Sequence, residues 1–494
     1  MKRVVIIGAG LGGLASALRC AHRGYAVTVL EMNDQVGGKM GIFTDRGYTF
    51  DTGPTLVTMP FVLLDLFDAI GRRLEDYLDL VPLEPNCRYF FPDGSRLDAS
   101  SDRTRMADEI RALAGADAEG FERFLAHAES IYNAAAEPFL FSSFSSLRFR
   151  DIVRQAKHLP ALARIDAFRT MNAVVSEFFG DGRLRQLFNR FATYNGSSPF
   201  RAPATLSIIP YVEFEMGGWY VRGGLYKIAE TLRQLATEDG VQIRTSCEVT
   251  RIVHAGKRAT GVMTKDGNFI AADAVICNAD AIYAHEALLD RTALRKPGRF
   301  AGAEPSLAGF VMLLGVRKQF DHLAHHNIFF SKDYPAEFKA LVDDGIPAPD
   351  PTIYVSISAK SDPDHAPEGC SNLFVLVNAP PLNGRFDWDS YKGKYRNLIL
   401  SALGRFGLPD LESRLAMEQI ITPADFERRF NAYRGSIYGT SSNNRMAAFL
   451  RPPNRSRDLA NLFFAGGSSH PGGGIPLVLL SGAHATRLLG EVLG

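Results

Sequence analysis

Apolar positions occur along this chain in blocks of two kinds, and each kind predicts a different element. Residues 3–7 and 26–30 are short β-branched runs that fit buried parallel strands, and a helix-like stretch at 14–23 separates them. Residues 102–195 instead carry apolar positions at helical spacing. The pattern therefore predicts an α/β chain. The strands assigned to a second sheet are residues 305–316, 352–358 and 372–379.

The turn between the first strand and the first helix is rich in glycine. In Gly8-Ala9-Gly10-Leu11-Gly12-Gly13, Gly8 permits a tight turn, Gly10 lets the backbone approach a pyrophosphate, and Gly13 lets the helix pack on the strand. Glu31 ends the second strand 18 residues after Gly13. Its carboxylate would accept hydrogen bonds from a ribose diol. Strand, turn, helix and acid at these distances predict a dinucleotide site.

A second glycine-rich turn lies near the carboxyl end of the chain. An apolar strand after Asn461 enters the turn at residues 465–476, and a helix-forming segment follows at 483–493. Backbone N–H groups at the start of a helix can face a ligand. An ordinary loop with glycines for close packing would explain either turn alone. Two glycine signatures that bracket the chain predict one dinucleotide held by both ends.

Charge and cysteine content exclude several classes of function. Lys+Arg 55 and Asp+Glu 54 leave a formal charge of +1, so no nucleic-acid partner is expected. The five cysteines are far apart and lack metal-ligand spacing, which indicates reduced thiols in a cytoplasmic protein and no metal site. Glycines interrupt the apolar N-terminal stretch and Arg19 precedes Cys20, which argues against a secretory signal. No apolar run approaches the roughly 20 residues of a membrane-spanning helix.

Two motifs after Glu31 resemble flavoproteins of the amine-oxidase and desaturase group. They are Gly37-Gly38-Lys39, which in that group lies against the FAD diphosphate and flavin, and the segment at residues 50–54. The basic residue of the group is usually arginine. Lys39 keeps the charge but loses the bidentate fork of a guanidinium. The resemblance implies that the dinucleotide is FAD.

Over essentially its full length the chain resembles the bacterial carotenoid desaturases of the phytoene-desaturase type. Within that family, residues 438–445 and the carboxyl-terminal Gly-Gly-Ser-x-His-Pro-Gly-Gly-Gly-Ile-Pro are most similar to the 3,4-desaturases of 1-hydroxylated acyclic carotenoids. The resemblance implies an α/β fold with a Rossmann-type FAD-binding domain of the p-hydroxybenzoate hydroxylase and amine-oxidase kind. The implied fold also contains an inserted mixed-sheet substrate domain and a helical membrane-associated region. The other segments that carry the resemblance are the N-terminal fingerprint and residues 50–54, 323–326 and 364–370.

The resemblance also implies which residues bind FAD and which do chemistry. Asp151 and Arg154 match an F-R-D-x-x-R segment proposed in the family for acid–base work. At positions i and i+3 of a helix the two could pair, so a structural ion pair explains them equally well. His325 and His326 are interpreted as structural. The residues expected to bind FAD are Gly8, Gly10, Gly12, Gly13, Glu31, Gly37, Gly38, Lys39, Thr52, Gly53, Val249, Gly466, Gly467, His470, Gly474, Ile475 and Pro476.

The expected organisation is a discontinuous FAD-binding domain interrupted twice by a substrate domain. Residues 138–169 are aromatic and basic, a composition typical of a segment that lies in anionic headgroups, although a solvated helix face over a core has the same composition. The expected partners are an acyclic carotenoid, a membrane lipid surface, and a quinone or dioxygen as electron acceptor. The protein is expected to be cytoplasmic and peripheral to the membrane. The predicted divisions are FAD-binding at 1–75, 216–290 and 441–494, and substrate-binding at 76–215 and 291–440.

Other functions remain open on the residues alone. A multi-step phytoene or diapophytoene desaturase would use the same fold, as would a carotenoid isomerase or another FAD oxidase. An amine oxidase usually has Gly-x-Glu where this chain has Gly467-Ser468-Ser469. A non-catalytic prenyl-lipid binder would lack a working FAD site. A nicotinamide dehydrogenase would explain residues 8–31 but neither Gly37-Gly38 nor the carboxyl-terminal turn.

Overall fold

The computed structural model describes residues 1–142, 165–443 and 451–494. Within these ranges nineteen strands form one sheet of seven strands, one of five, one of three and two of two. In chain order the strands are β1 (Arg3–Ile7), β2 (Ala26–Leu30), β3 (Ile42–Asp45), β4 (Tyr48–Asp51), β5 (Leu80–Pro82), β6 (Cys87–Phe90), β7 (Arg96–Ala99), β8 (Trp219–Val221), β9 (Gln242–Arg244), β10 (Val249–Ala255), β11 (Arg258–Thr264), β12 (Phe269–Ala271), β13 (Ala274–Cys277), β14 (Ala308–Val316), β15 (His326–Phe329), β16 (Ile353–Ser356), β17 (Ser371–Ala379), β18 (Leu415–Ile421) and β19 (Leu462–Phe464).

Helices cover one face of the five-stranded sheet, and the three-stranded sheet covers the other. The helix at residues 388–405 packs on the seven-stranded sheet. A π-helix, Ala136–Phe141, directly follows the α-helix Ala118–Ala135. None of the described helices is both long and apolar enough to cross a membrane. The α-helices of eight or more residues are α1 (Leu11–His22), α2 (Phe61–Asp68), α3 (Arg103–Ala114), α4 (Ala118–Ala135), α5 (Met171–Phe178), α6 (Gly182–Asn189), α7 (Ile208–Met216), α8 (Tyr226–Glu238), α9 (Trp388–Arg405), α10 (Pro423–Phe430) and α11 (Ile475–Leu493).

The five-stranded sheet is parallel and has the order β19-β13-β1-β2-β9. Alternate residues of β1 enter different cores: Val4 and Ile6 pack with α1, α8 and α11, whereas Val5 and Ile7 pack with the three-stranded sheet. A strand buried on both faces needs a continuous apolar run, which explains the composition of residues 3–7. Its five strands come from three separate stretches of the chain, and the domain boundaries themselves stay a prediction.

The seven-stranded sheet is mixed and has the order β18-β14-β17-β16-β15-β6-β7. All nine residues of β14 are buried, because β17 and β18 flank it antiparallel and side chains cover both faces. β6 joins this sheet through parallel pairing with β15, so residues from 87 to 99 and from 308 to 421 build one sheet. The three runs assigned to a second sheet are present as β14, β16 and β17.

Two helices begin earlier than the sequence pattern predicts. α1 begins at Leu11 because Gly12 and Gly13 are helical and Gly10 occupies the N-cap. α11 begins at Ile475, eight residues before the predicted start at 483. Pro476 lies in its first turn, where the missing N–H costs nothing. Both glycine-rich turns therefore end directly at a helix N-terminus.

Candidate functional site

The first glycine-rich turn lies where β1 ends and α1 begins. A Cβ atom on Gly13 would stand 2.1 Å from the carbonyl oxygen of Gly8, so only glycine lets α1 approach the strand this closely. A Cβ on Gly12 would lie 2.7 Å from Oδ1 of Asn278 and 3.0 Å from the backbone nitrogen of Gly466. The turn is therefore in direct contact with the glycine motif from the other end of the chain.

Glu31 ends β2 beside this turn and is buried. Its Oε2 accepts a hydrogen bond from the Ala9 N–H at 2.8 Å, and its Oε1 accepts two at 2.9 Å from the backbone and side chain of Asn33. A carboxylate has about four acceptor positions, so one on Oε2 stays available. The side chain thus fixes the turn and presents a carboxylate edge to the adjoining cleft.

These residues line a cavity of about 330 Å³ between the two glycine motifs. Three predicted FAD-binding residues are not on its wall: Gly13 lies behind the turn, and His470 and Pro476 line a second cavity. The predicted residues on the wall are Gly8, Gly10, Gly12, Glu31, Gly37, Gly38, Lys39, Thr52, Gly53, Val249, Gly466, Gly467, Gly474 and Ile475.

Lys39 lies in this wall with its ammonium group tied to the backbone. Its Nζ donates to the carbonyl oxygens of Ser436 at 3.1 Å and Ile437 at 2.6 Å. Burial lowers the pKa of Lys39 to about 8, and the nearby carboxylate of Asp280 opposes that shift. Two of its three N–H donors are used, so the ammonium group is held in a fixed position in the cavity wall.

Asn278 and Asp280 are wall residues that the sequence pattern did not single out. The carboxamide of Asn278 lies between the two glycine motifs, and its Oδ1 has no hydrogen-bond partner among the described residues. Asp280 caps the helical turn Ala281–Tyr283 through bonds to the Ile282 and Tyr283 N–H groups, and burial raises its pKa. Their place at the end of β13, next to β1, is the signal that could have found them, because ligands bind at the carboxyl ends of parallel strands.

A second cavity, of about 380 Å³, adjoins the first. Its wall is mostly apolar, with side chains from α7, the π-helix and the seven-stranded sheet, including Ile209, Phe139 and Tyr354. The cavities share one wall, which consists of Gly53, Pro54, Phe374, Leu376, Ile437, Tyr438, Gly473, Gly474 and Ile475. A group bound in the first cavity would therefore face a molecule bound in the second.

His470 belongs to the second cavity. Its Nε2 lies 3.0 Å from the carbonyl oxygen of Ser142, and its ring stacks on His484 with 5.8 Å between centroids. Burial lowers the pKa of His470 to about 4, so the ring is neutral near pH 7. His326 also lines this cavity, with both ring nitrogens 3.2 Å from the carbonyl oxygens of Asn86 and Thr55.

Arg451 connects the carboxyl-terminal motif to the second cavity and was missed by the sequence analysis. Its Nη1 donates to the carbonyl oxygens of Tyr438 at 2.8 Å and Gly467 at 3.0 Å, and its Nη2 donates to Asn195. Burial lowers its pKa to about 10, so it keeps its positive charge. The predicted pair Asp151 and Arg154 lies outside the described residues and stays a prediction.

The first cavity fits a dinucleotide. Glycines keep side chains out of both turns, two helix N-termini open towards it, and a carboxylate stands at the end of β2. The unpartnered Oδ1 of Asn278 is an acceptor that a ligand donor would satisfy. Fold and cavity together define a dinucleotide-binding protein of the α/β class.

Comparison with known proteins gives the family. Residues 11–489 match the family described as flavin containing amine oxidoreductase, and the chain belongs to it. This confirms the predicted flavoprotein class and its cofactor, FAD. Among solved structures, a putrescine oxidase superposes with a TM-score of 0.66 at 14% identity over 100% of this chain and 98% of that one. An oxidoreductase from Methanosarcina mazei gives 0.65 at 17% identity over 98% and 100%.

Relatives of similar length show which members of the family this chain resembles. The chain is 38% identical to the 4,4'-diapolycopene oxygenase of a Methylomonas species over 97% of this chain and 96% of that one. It is 37% identical to the 1-hydroxycarotenoid 3,4-desaturase of Flavobacterium sp. (strain P99-3), over 97% of each. It is 36% identical to the zeta-carotene-forming phytoene desaturase of Myxococcus xanthus over 99% and 94%. These relatives confirm the predicted resemblance to carotenoid desaturases.

Proposed function

We propose that this chain binds FAD in the first cavity and uses it to insert C=C bonds into an acyclic carotenoid held in the second. The observation that carries the proposal is the shared wall, which places an apolar chamber against a dinucleotide-shaped cleft. The three relatives above, all named for reactions on carotenoids, support this assignment. The reaction belongs to carotenoid biosynthesis.

FAD would be held by both ends of the chain. The N-terminal glycine turn and the start of α1 would bind the diphosphate, and Glu31 would bind a ribose. Val249 would meet the adenine through its backbone, and the carboxyl-terminal turn at residues 466–475 would contact the flavin. When bound, FAD supplies a hydride acceptor for the removal of two hydrogens from a saturated C–C pair.

The second cavity would keep the reaction dry and align the polyene. Cation character that develops on the substrate is spread along the conjugated chain, so exclusion of water and alignment matter more than a strong nucleophile. The second hydrogen leaves as a proton and needs an acceptor. Asp151, with Arg154 beside it, is the acceptor that the family resemblance proposes.

Contact with a membrane surface is the proposed route by which substrate enters. The chain on both sides of residues 143–164 lies at the second cavity: Leu140 is in its wall, and Thr205 of the wall donates to the carbonyl oxygen of Ile165 at 2.6 Å. Phe168, close to this segment, is 79% exposed. The intervening segment is basic and aromatic. These features support a peripheral location on anionic lipid, with a quinone or dioxygen as electron acceptor.

Desaturation at C3–C4 of a 1-hydroxylated carotenoid is the particular reaction we favour. Terminal oxygenation is the second candidate, because one relative at 38% identity is named an oxygenase. Protein reconstituted with FAD and liposomes should be given phytoene in one sample and a 1-hydroxylated acyclic carotenoid in another, with a quinone and without dioxygen. Loss of two hydrogens with a red shift of the hydroxylated substrate supports the favoured reaction. A red shift of phytoene makes the chain a phytoene desaturase, and gain of an oxygen atom once dioxygen is admitted identifies an oxygenase.

A further inference from the structure

A buried polar cluster lies in the otherwise apolar second cavity. Arg190 and Glu213 both line it and are only 8% and 2% exposed, with Nη2 of the arginine 3.7 Å from Oε1 of the glutamate. Tyr194 donates to Oε2 of Glu213 at 2.5 Å, and Nη2 of Arg190 donates to the hydroxyl of Tyr89 at 2.7 Å. A buried charge pair costs stability unless its geometry is favourable, so its presence in a hydrocarbon-binding chamber calls for a reason.

Aromatic rings hold the guanidinium group of Arg190 in place. Its Cζ lies 4.4 Å from the ring centroid of Phe191, 5.1 Å from that of Tyr194 and 5.3 Å from that of Tyr89. Such contacts restrict the rotamers of the arginine. The cluster is therefore preorganised rather than a mobile surface pair.

The cluster also contains two buried polar atoms without a hydrogen-bond partner among the described residues. Nε of Arg190 and Oδ1 of Asn86, another wall residue, have no hydrogen-bond partner among the described residues. Asn86 approaches the cluster through its Nδ2, 3.5 Å from the carbonyl oxygen of Glu213. A hydroxyl group both accepts and donates, so it can bond to the arginine and the glutamate where they line the cavity, whereas a hydrocarbon can bond to neither.

The sheet beneath the cavity gives the distance from the cluster to the flavin side. Directly paired residues form one row across five strands, Val311, Leu376, Tyr354, Ile328 and Tyr89. Val311 lines the first cavity, Leu376 lines both, and Tyr354 and Ile328 line the second. Neighbouring strands lie about 4.8 Å apart, so Tyr89 stands about 14 Å from Leu376 across three strand spacings.

That distance suits an oxygen close to the reacting bond. The path from a guanidinium nitrogen to the flavin crosses one hydrogen bond to the substrate hydroxyl, three covalent bonds from that oxygen to the reacting carbon, and one contact between that carbon and the flavin. These segments together span about 10 Å. Nη2 of Arg190 donates to the Tyr89 hydroxyl at 2.7 Å, so the guanidinium group lies one hydrogen bond from the side chain that ends this row. The oxygen and the dehydrogenated bond would lie at the same end of the polyene.

We propose that Arg190, Glu213 and Asn86 recognise a hydroxyl oxygen on the terminus of the acyclic polyene and so determine which substrates are desaturated. The proposal rests on the function proposed above and names the residues that select its substrate. The opposite charges of Arg190 and Glu213 favour a neutral polar end group over a carboxylate or an ammonium. A site that hydrogen-bonds a substrate hydroxyl can reject the analogue without it by a factor of about 10⁴.

The test compares kcat/KM for a 1-hydroxylated carotenoid and for its counterpart without the hydroxyl. We expect wild-type protein to prefer the hydroxylated substrate by at least about 100-fold. The double variant Arg190→Met and Glu213→Met removes both charges at similar volume, a change that buried pairs tolerate, and it should abolish the preference. Glu213→Gln should reduce it about tenfold, because the amide no longer balances Arg190.

Glu337→Gln is the matched control. Glu337 is also a buried glutamate, bonded to Ser331 and Thr352, but it does not line the cavity. Its variant should keep the wild-type preference. A double variant that turns over both substrates with the wild-type preference would overturn the proposal; if that variant does not fold, an unchanged preference in Glu213→Gln would do so. Wild-type protein that desaturates both substrates equally would refute the recognition role alone. Flavin-loaded protein that desaturates neither would refute the proposed function as well.

Discussion

The close approach of α1 to β1 at Gly13 gives a quantitative test of the FAD site. Alanine at this position places its Cβ 2.1 Å from the carbonyl oxygen of Gly8, and side-chain carbons do not approach other atoms closer than 3.0 Å. The helix must therefore move by about 0.9 Å away from the turn that would bind the diphosphate. That movement displaces the N–H groups at the start of α1.

The cost of such overpacking is about 1 to 3 kcal/mol. Since about 1.4 kcal/mol corresponds to a tenfold change in affinity, Gly13→Ala should weaken FAD binding by roughly 5- to 150-fold if the cost falls on the bound state. Titration of the flavin-free protein with FAD, followed by flavin fluorescence, measures the change directly. A thermal melt of the flavin-free protein separates loss of binding from loss of folding.

Gly393→Ala is the control for this substitution. Gly393 lies inside α9 with no atom within 4 Å of its added Cβ, so alanine should stabilise the helix by about 1 kcal/mol and leave FAD affinity unchanged. If the Gly13→Ala variant binds FAD as tightly as wild type and has the same melting temperature, the assigned turn geometry and its role in the dinucleotide site are refuted.

Three further substitutions test other parts of the structure. Ile209→Asp places a carboxylate in the wall of the second cavity alone, and should weaken carotenoid binding at least about 100-fold while FAD titrations stay unchanged. Burial raises the pKa of Asp51 to about 6, above its ordinary 3.8, so stability should fall by up to about 3 kcal/mol as pH rises from 4 to 6; urea unfolding of Asp51→Asn should lack this slope. Burial lowers the pKa of Lys39 to about 8, below its ordinary 10.5, so stability should rise by up to about 3 kcal/mol between pH 8 and 10.5, and Lys39→Met should remove that rise. If the stability of either variant changes with pH as that of wild type does, the burial of the substituted side chain's charge is contradicted.

Local patterns predicted the nucleotide end of the molecule well. β1 spans Arg3–Ile7 and β2 spans Ala26–Leu30, as the β-branched runs indicate. These elements are determined by neighbours in the chain: the strand run, the glycine turn and the helix periodicity lie within about thirty residues. The start of α11 was missed because glycine and proline usually interrupt helices, whereas here they form its cap and first turn.

Long-range convergence explains what the sequence could not predict. Arg190 and Glu213 meet only because α6 and α7 pack against β6, and Asn278 meets Gly466 only because β13 lies between β1 and β19. Each of these residues has an ordinary sequence context, with no spacing that marks it. Buried polar side chains that line a cavity become visible as a site only once the sheet register is known.

The central claim is that a flavin in the first cavity oxidises a polyene in the second. It is tested most directly by mixing the FAD-loaded protein with a 1-hydroxylated acyclic carotenoid in the absence of dioxygen and of any other electron acceptor. The account predicts that the visible flavin absorbance bleaches while the polyene absorption shifts to the red, with one double bond formed for each flavin reduced. Binding of the carotenoid and FAD together, with neither spectrum changing, would contradict it.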